Sequence, residues 1–312
     1  IKTSNVVSGT LSRKQVWNAT ESQILLADDR DTNTQLGYGC DIDGDYIIGG
    51  GPQDDEGGSA TGAAYIFKKT GTSWTQTAKL MASDPNTNDQ FGEFCEISGD
   101  YAIVGNYQED AGGTNAGAAY IYKRDTGAET WTQQAKLMAS NAGSSDFFGR
   151  GVSIDGDYAI VGAPYEDTGG DGAGAAYIFK RSGASWSQQA IILASDAASA
   201  DEYGWDVSIS GDYAVVGARQ EDEGGSNAGA AYIFKRNVNN WSSSSTFDNL
   251  IPVSGLGSYP GVVYWVYDSS QSDTNNLQFE LWRVDTGALN TATNGIRFSK
   301  QSDGSTLLQV NV

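Results

Sequence analysis

The chain has 312 residues, a formal charge of −20 and no histidine. That charge excludes nucleic-acid binding, which needs a basic face to neutralise phosphates, and it disfavours anionic lipid surfaces. Without histidine there is no Ser-His-Asp or Cys-His apparatus and no histidine metal site, while a hydrophobic content of 39% is enough for a folded core.

Residues 1–25 read as an N-terminal extension. The first residue is Ile1 rather than Met, which is expected of a processed, secreted form whose targeting signal is gone. No apolar run reaches the ~18 residues that a membrane helix needs, so no transmembrane segment is expected. Trp17 to Leu26 has the look of an outer strand whose own sheet must come from elsewhere. Two sequons, Asn18-Ala19-Thr20 and Asn240-Trp241-Ser242, offer Asn18 and Asn240 as glycosylation acceptors in a suitable host.

Residues 26–245 are four copies of one unit, at about 26–80, 81–137, 138–193 and 194–245. The segment Gly62-Ala63-Ala64-Tyr65-Ile66-Phe67 returns at Gly117–Tyr122, Gly174–Phe179 and Gly229–Phe234. Each copy carries four short segments. An alternating one comes first (Leu36 to Ile42, Phe91 to Ile97, Phe148 to Ile154, Tyr203 to Ile209). A continuous apolar run starting at Tyr46, Tyr101, Tyr158 or Tyr213 follows. The Gly-Ala-Ala-Tyr segment is third, and a segment opened by Trp74, Trp131, Trp186 or Trp241 is fourth. Gly-containing pairs such as Asp43-Gly44 and Asp155-Gly156 separate the first two, where a tight hairpin wants glycine. Four short β-rich segments joined by turns make an antiparallel four-stranded sheet, and sheets repeated at this period are propeller blades. The predicted fold is therefore an all-β propeller; a β-solenoid is the structural rival. Apolar stretches at Val262–Tyr267, Leu277–Val284, Gly295–Ser299 and Thr306–Val312 make residues 246–312 either a diverged fifth blade, closed by the N-terminal strand, or a separate small β domain.

The recurring Asp-x-Phe-Gly, the Gly-Asp-Tyr-Ala-Ile-Val-Gly run and the single intact Gly162-Ala163-Pro164 resemble the FG-GAP repeats of integrin-like β-propellers. The resemblance covers residues 26 to about 245 and implies an extracellular protein serving adhesion, ligand recognition or surface structure. Two departures stand out. Such propellers usually have seven blades, and their calcium loops carry Asp-x-Asp-x-Asp-Gly. The nearest match here, Asp41-Ile42-Asp43-Gly44-Asp45, falls on a strand running into a hairpin, with Ile42 and Ile97 expected in the core, so it lacks the loop geometry calcium needs.

Several positions are candidates for chemistry. The pairs Asp54-Asp55, Glu109-Asp110, Glu166-Asp167 and Glu221-Asp222 precede the third strand in every copy and fall on one rim. They serve either as a calcium rim or as caps of their own loops. Asp89, Asp146 and Asp201, with Thr34 in the first copy, are expected to fix loops by side-chain-to-backbone bonds. Cys40 and Cys95 share one repeat position and are either buried thiols or a disulfide between neighbouring inner strands. Asp41 and Glu96 would line a central channel, where a carboxylate pair is the minimum for glycosidase chemistry.

The reading these features favour is a non-catalytic, secreted or cell-surface structural or adhesive propeller making protein–protein or glycan contacts. Its unmatched ends suggest strand exchange between copies, giving a homo-oligomer or filament. A lectin-like propeller using Trp205, Tyr107 and Tyr165 is the alternative, and a carboxylate glycosidase a third.

Overall fold

The computed structural model describes residues 21–29, 32–237 and 240–243, and four further strands between residues 263 and 310. Four antiparallel sheets follow the four copies. Blade 1 contains β1 (Cys40–Asp43), β2 (Tyr46–Gly51), β3 (Ala63–Thr70) and β4 (Ser73–Leu80). Blade 2 contains β5 (Cys95–Ser98), β6 (Tyr101–Asn106), β7 (Ala118–Asp125) and β8 (Thr130–Leu137). Blade 3 contains β9 (Gly151–Asp155), β10 (Tyr158–Ala163), β11 (Ala175–Ser182) and β12 (Ser185–Ile192). Blade 4 contains β13 (Tyr203–Ser210), β14 (Tyr213–Ala218), β15 (Ala230–Asn237) and β16 (Asn240–Ser243). The propeller expectation is met, and no helix among the described residues is long and apolar enough to cross a membrane.

Local chemistry accounts for the blade. The first hairpin turns on Gly44-Asp45, with Asp43 facing Tyr46; Gly44, Gly99, Gly156 and Gly211 all take φ of +55 to +57°. A two-residue turn of the II′ kind wants glycine at this first loop position. The third strand carries small residues and then Tyr-Ile-aromatic, and its Ala, Tyr and Ile side chains are fully buried in blades 1 to 3. Its pairing with the outer strand shifts register once in each of blades 1 to 3, between Ile66 and Phe67, Ile121 and Tyr122, and Ile178 and Phe179. These are β-bulges, which bend and twist a strand.

The core lies between blades. One cluster joins Ile48, Ile66 and Leu80 of blade 1 to Ile97, Val104 and Tyr120 of blade 2. Equivalent clusters join blades 2 and 3 and blades 3 and 4. Each inter-blade seam has the same plug. Phe91, Phe148 and Tyr203 pair in parallel with Gly62, Gly117 and Gly174 of the blade before. The first segment is thus shorter as a strand than the alternation suggests: in blade 2 the ladder starts at Cys95, because Phe91-Gly92 is spent on the neighbouring blade.

The two ends of the array differ from its middle. Ile42 is 59% exposed, where Ile97 is buried; the core position expected for it fails because no preceding inner strand covers β1 among the described residues. At the other end Ile233 is 58% exposed, while Ile66, Ile121 and Ile178 are fully buried. Residues 23–28 lie along blade 1 in the place of a preceding blade's outer strand. Gln23 exchanges two bonds with the Trp74 backbone, at 2.6 and 2.8 Å, and the Asp28 amide donates to Gln76 as Ser83 donates to Gln133 and Ser140 to Gln188. Trp17 and Asn18 lie outside the described residues; Asn240 opens β16. The four C-terminal stretches do form strands, β17 (Val263–Tyr267), β18 (Phe279–Arg283), β19 (Ile296–Lys300) and β20 (Thr306–Val310), but they pair as two separate hairpins.

Candidate functional site

The acidic pairs bond within their own blades and loops. Asp54 is fully buried, accepts from the Tyr65 hydroxyl at 2.6 Å and pairs with Lys79 at 2.9 Å. Burial opposes its ionisation, yet Tyr65 and Lys79 hold its carboxyl below the usual range. Lys136 pairs with Glu109 at 2.8 Å in the same way, and in blade 3 Asn141 donates to Glu166 at 2.8 Å. The second acid of each pair caps its loop: Asp55, Asp110, Asp167 and Asp222 accept from the backbone of Ala60, Asn115, Gly172 and Asn227. Among the described residues no hydrogen bond or ion pair joins the pair of one blade to that of another. In blade 4 oxygens of Asp196, Glu221 and Glu223 lie within 4.8 Å of one another, and the repeat position of Lys79 and Lys136 falls on Thr246. Each carboxylate can give calcium one or two oxygens, so this trio could supply part of the about six to eight it takes, with backbone carbonyls and water for the rest.

Asp89, Asp146 and Asp201 cap loops as expected, accepting from the amides of Asn86, Gly143 and Ala198 at 3.0, 2.7 and 2.7 Å. Burial raises the first two above ordinary carboxylates. Along the axis the inner strands are stapled side chain to backbone. The Ile97 amide donates to Asp41 at 2.9 Å, Ile154 to Glu96 at 3.3 Å and Ile209 to Ser153 at 3.0 Å. Burial pushes Glu96 up to about 7, with Asp41 and Asp155 adding to the effect. Cys40 and Cys95 stand as free thiols, the first exposed and the second partly buried. The Cys95 sulfur lies 3.4 Å from where a Cβ on Gly39 would sit, and burial raises its pKa.

A different cluster gathers at the axial mouth, where inner strands begin and second strands end. Its side chains come from three blades. The Arg150 guanidinium stacks 4.0 Å from the Phe94 ring and 4.2 Å from the Trp205 ring. Arg219 stacks on Trp205 at 3.5 Å and pairs with Glu202 at 2.5 Å. Tyr107 and Tyr165 join the same patch through Phe147, with edge-on ring centroids at 5.5 and 5.2 Å. Phe147 is turned there by a left-handed φ of 57°. The Tyr107 hydroxyl donates to Glu93 at 2.9 Å, and burial pushes its pKa up to about 12.

Arg150 is the unusual member. Burial lowers its pKa, with Glu93 acting in the opposite sense, and among the described residues no carboxylate forms an ion pair with it within 4.0 Å. Guanidinium stacking leaves the N–H edge free, and that edge matches a carboxylate bidentately. The three aromatics expected at a rim are therefore brought together. The two arginines were missed: Arg150 is visible only when the residue after each Phe-Gly is compared across copies (Tyr38, Glu93, Arg150, Trp205), and Arg219 only when the Gly-Ala-Pro proline position is (Pro52, Tyr107, Pro164, Arg219).

The model of the FG-GAP repeat matches residues 19–67, 74–122, 131–179 and 186–234. Each match after the first opens at or beside the outer-strand tryptophan of one blade and ends in the third strand of the next. No curated protein matches the chain. Solved structures similar to it include a protein from Lactobacillus plantarum, at 13% identity and TM-score 0.44, covering 89% of this chain and 71% of that one. Another is the periplasmic gluconolactonase of Pseudomonas aeruginosa, at 12% identity and TM-score 0.41, covering 87% and 71%. With four phased matches over more than half of its length, the chain belongs to the FG-GAP repeat family.

Proposed function

We propose that this chain is an extracellular, non-catalytic propeller of adhesive or structural type, which binds a carboxylate-bearing partner at its axial mouth and associates with copies of itself. The observation that carries the binding half is Arg150, stacked between Phe94 and Trp205 with no carboxylate paired to its donor edge among the described residues, in a chain of charge −20. A cation placed so, amid acids that do not reach it, favours an anionic group brought by a partner. Protein and glycan partners both supply such groups. The Trp205 ring carries two guanidinium groups, so the lectin-like alternative of a bare tryptophan platform is less favoured than charge recognition. The inner-strand acids Asp41 and Glu96 bond a neighbouring strand, a structural use that weighs against the glycosidase reading.

The test is binding to immobilised polyglutamate and polygalacturonate, with neutral dextran as control, at low and physiological salt. Retention on one or both polyanions, weakened about tenfold or more in Arg150→Gln, is the expected result. Equal binding to dextran, or no effect of Arg150→Gln, would refute it.

A further inference from the structure

Three seams show how one blade receives the next. At each, the incoming Phe-Gly backbone fills space that only glycine leaves open. A Cβ on Gly50, Gly105 or Gly162 would stand 1.7, 2.1 or 1.9 Å from the carbonyl oxygen of Gly92, Gly149 or Gly204. The incoming Phe91, Phe148 and Tyr203 amides donate to Thr61, Ala116 and Ala173 at 3.1, 3.0 and 2.9 Å. Blade 4 has the same seat, built from Gly217, Ala218, Gly229 and Ala230, and nothing described fills it. A Cβ on Gly217 would meet no atom closer than the Asp206 oxygen at 3.6 Å. The space is an open pocket of about 370 Å³, with Trp205 and Arg219 at its lip.

The matching plug stands at the opposite end of the array. Gly37 has φ of +98°, against +96, +97 and +90° for Gly92, Gly149 and Gly204. Those three have a neighbouring blade's backbone within 2.3 Å of a built Cβ, whereas Gly37 has nothing within 4 Å. Leu36-Gly37 is thus held in the docking conformation with no seat among the described residues. Residues 23–28 on blade 1 hold the place of a preceding blade's strand end: Ala27 is buried as Ala82, Ala139 and Ala194 are.

We infer that blade 4 of one copy takes Leu36-Gly37 of a second copy in its open seat. This rests on the self-association proposed above and assigns it a site. The contact is head-to-tail, so it generates a closed ring or an open chain of copies.

Gly217→Ala separates the possibilities. In the free protein the added methyl has room, so the melting temperature is expected to stay within about 2 °C of wild type. In an occupied seat it strikes backbone, which should weaken association by about a hundredfold. Sedimentation velocity and mass photometry across concentration should show wild type assembling and Gly217→Ala monomeric. Because the variant keeps its plug, an excess of it should cap wild-type assemblies and shorten them. Three results overturn the inference. If Gly217→Ala assembles as wild type does, association uses another surface. If wild type is monomeric throughout, self-association fails as well. If Gly217→Ala loses stability as a monomer, the seat is filled from within its own chain.

Discussion

At the level of single residues, the places where one copy departs from the others are the informative ones. Tyr203 stands where Phe91 and Phe148 stand in other seams, and its hydroxyl is buried without a hydrogen-bond partner among the described residues. A buried unsatisfied hydroxyl costs about 1–3 kcal/mol. Tyr203→Phe should therefore stabilise the protein by about 1 kcal/mol, read as a rise of about 2–4 °C in melting temperature for a chain of this size. Glu96 departs in another way. Burial raises its folded pKa from 4.5 to about 7, so between those values the folded state binds more protons than the unfolded one. Its contribution is then full below pH 4.5 and is lost as pH rises through about 7. Thermal melts from pH 4 to 8 should show that loss in wild type, and Glu96→Gln, which keeps an acceptor for the Ile154 amide without the charge, should flatten the profile.

At the level of the element, a blade is held at its rim by a lysine placed among acids. Lys79 reaches Asp29, Asp54 and Glu56 at 2.6, 2.9 and 2.6 Å. Removing one partner of a buried pair costs roughly 3–5 kcal/mol, because the other charge is stranded. Lys79→Met should cost about 3 kcal/mol at pH 7, since Tyr65 still donates to Asp54. The penalty should shrink near pH 3, where the stranded carboxyl protonates; melting curves at the two pH values check it. Strands two, three and four of each blade were legible in the sequence, because local periodicity and Gly-Asp turns specify them without reference to neighbours. Phe91-Gly92 was not: locally it alternates like the strand that follows, and its partner, Gly62, belongs to the blade before. Ile42 misled for the same reason, since its burial depends on a neighbour that sequence period alone takes for granted.

Across the whole molecule, long-range placement decides what the sequence reveals. The rim acids were correctly put on loops before the third strand, and their partners, Lys79 and Lys136 on outer strands, became visible only with the blade assembled. The axial mouth was half legible. Trp205, Tyr107 and Tyr165 stood out as aromatics near glycine turns, but the arginine stack that links them draws on Phe94, Arg150 and Trp205 from three successive blades. Repeated positions in a ring converge on its axis, so the residues that vary among copies at the mouth form one surface although they are separated by more than a hundred positions along the chain.

The offset between unit and blade has a consequence for how such a protein changes length. Each family match after the first runs from the last strand of one blade into the first three strands of the next, so the covalent unit carries one strand of one blade, three of its neighbour and the whole junction between them. Duplicating a unit within the gene inserts a blade already fitted to its predecessor, and deleting one removes both together. The array can lengthen or shorten by whole steps without ever creating a mismatched neighbour, and every change is felt only at the two ends.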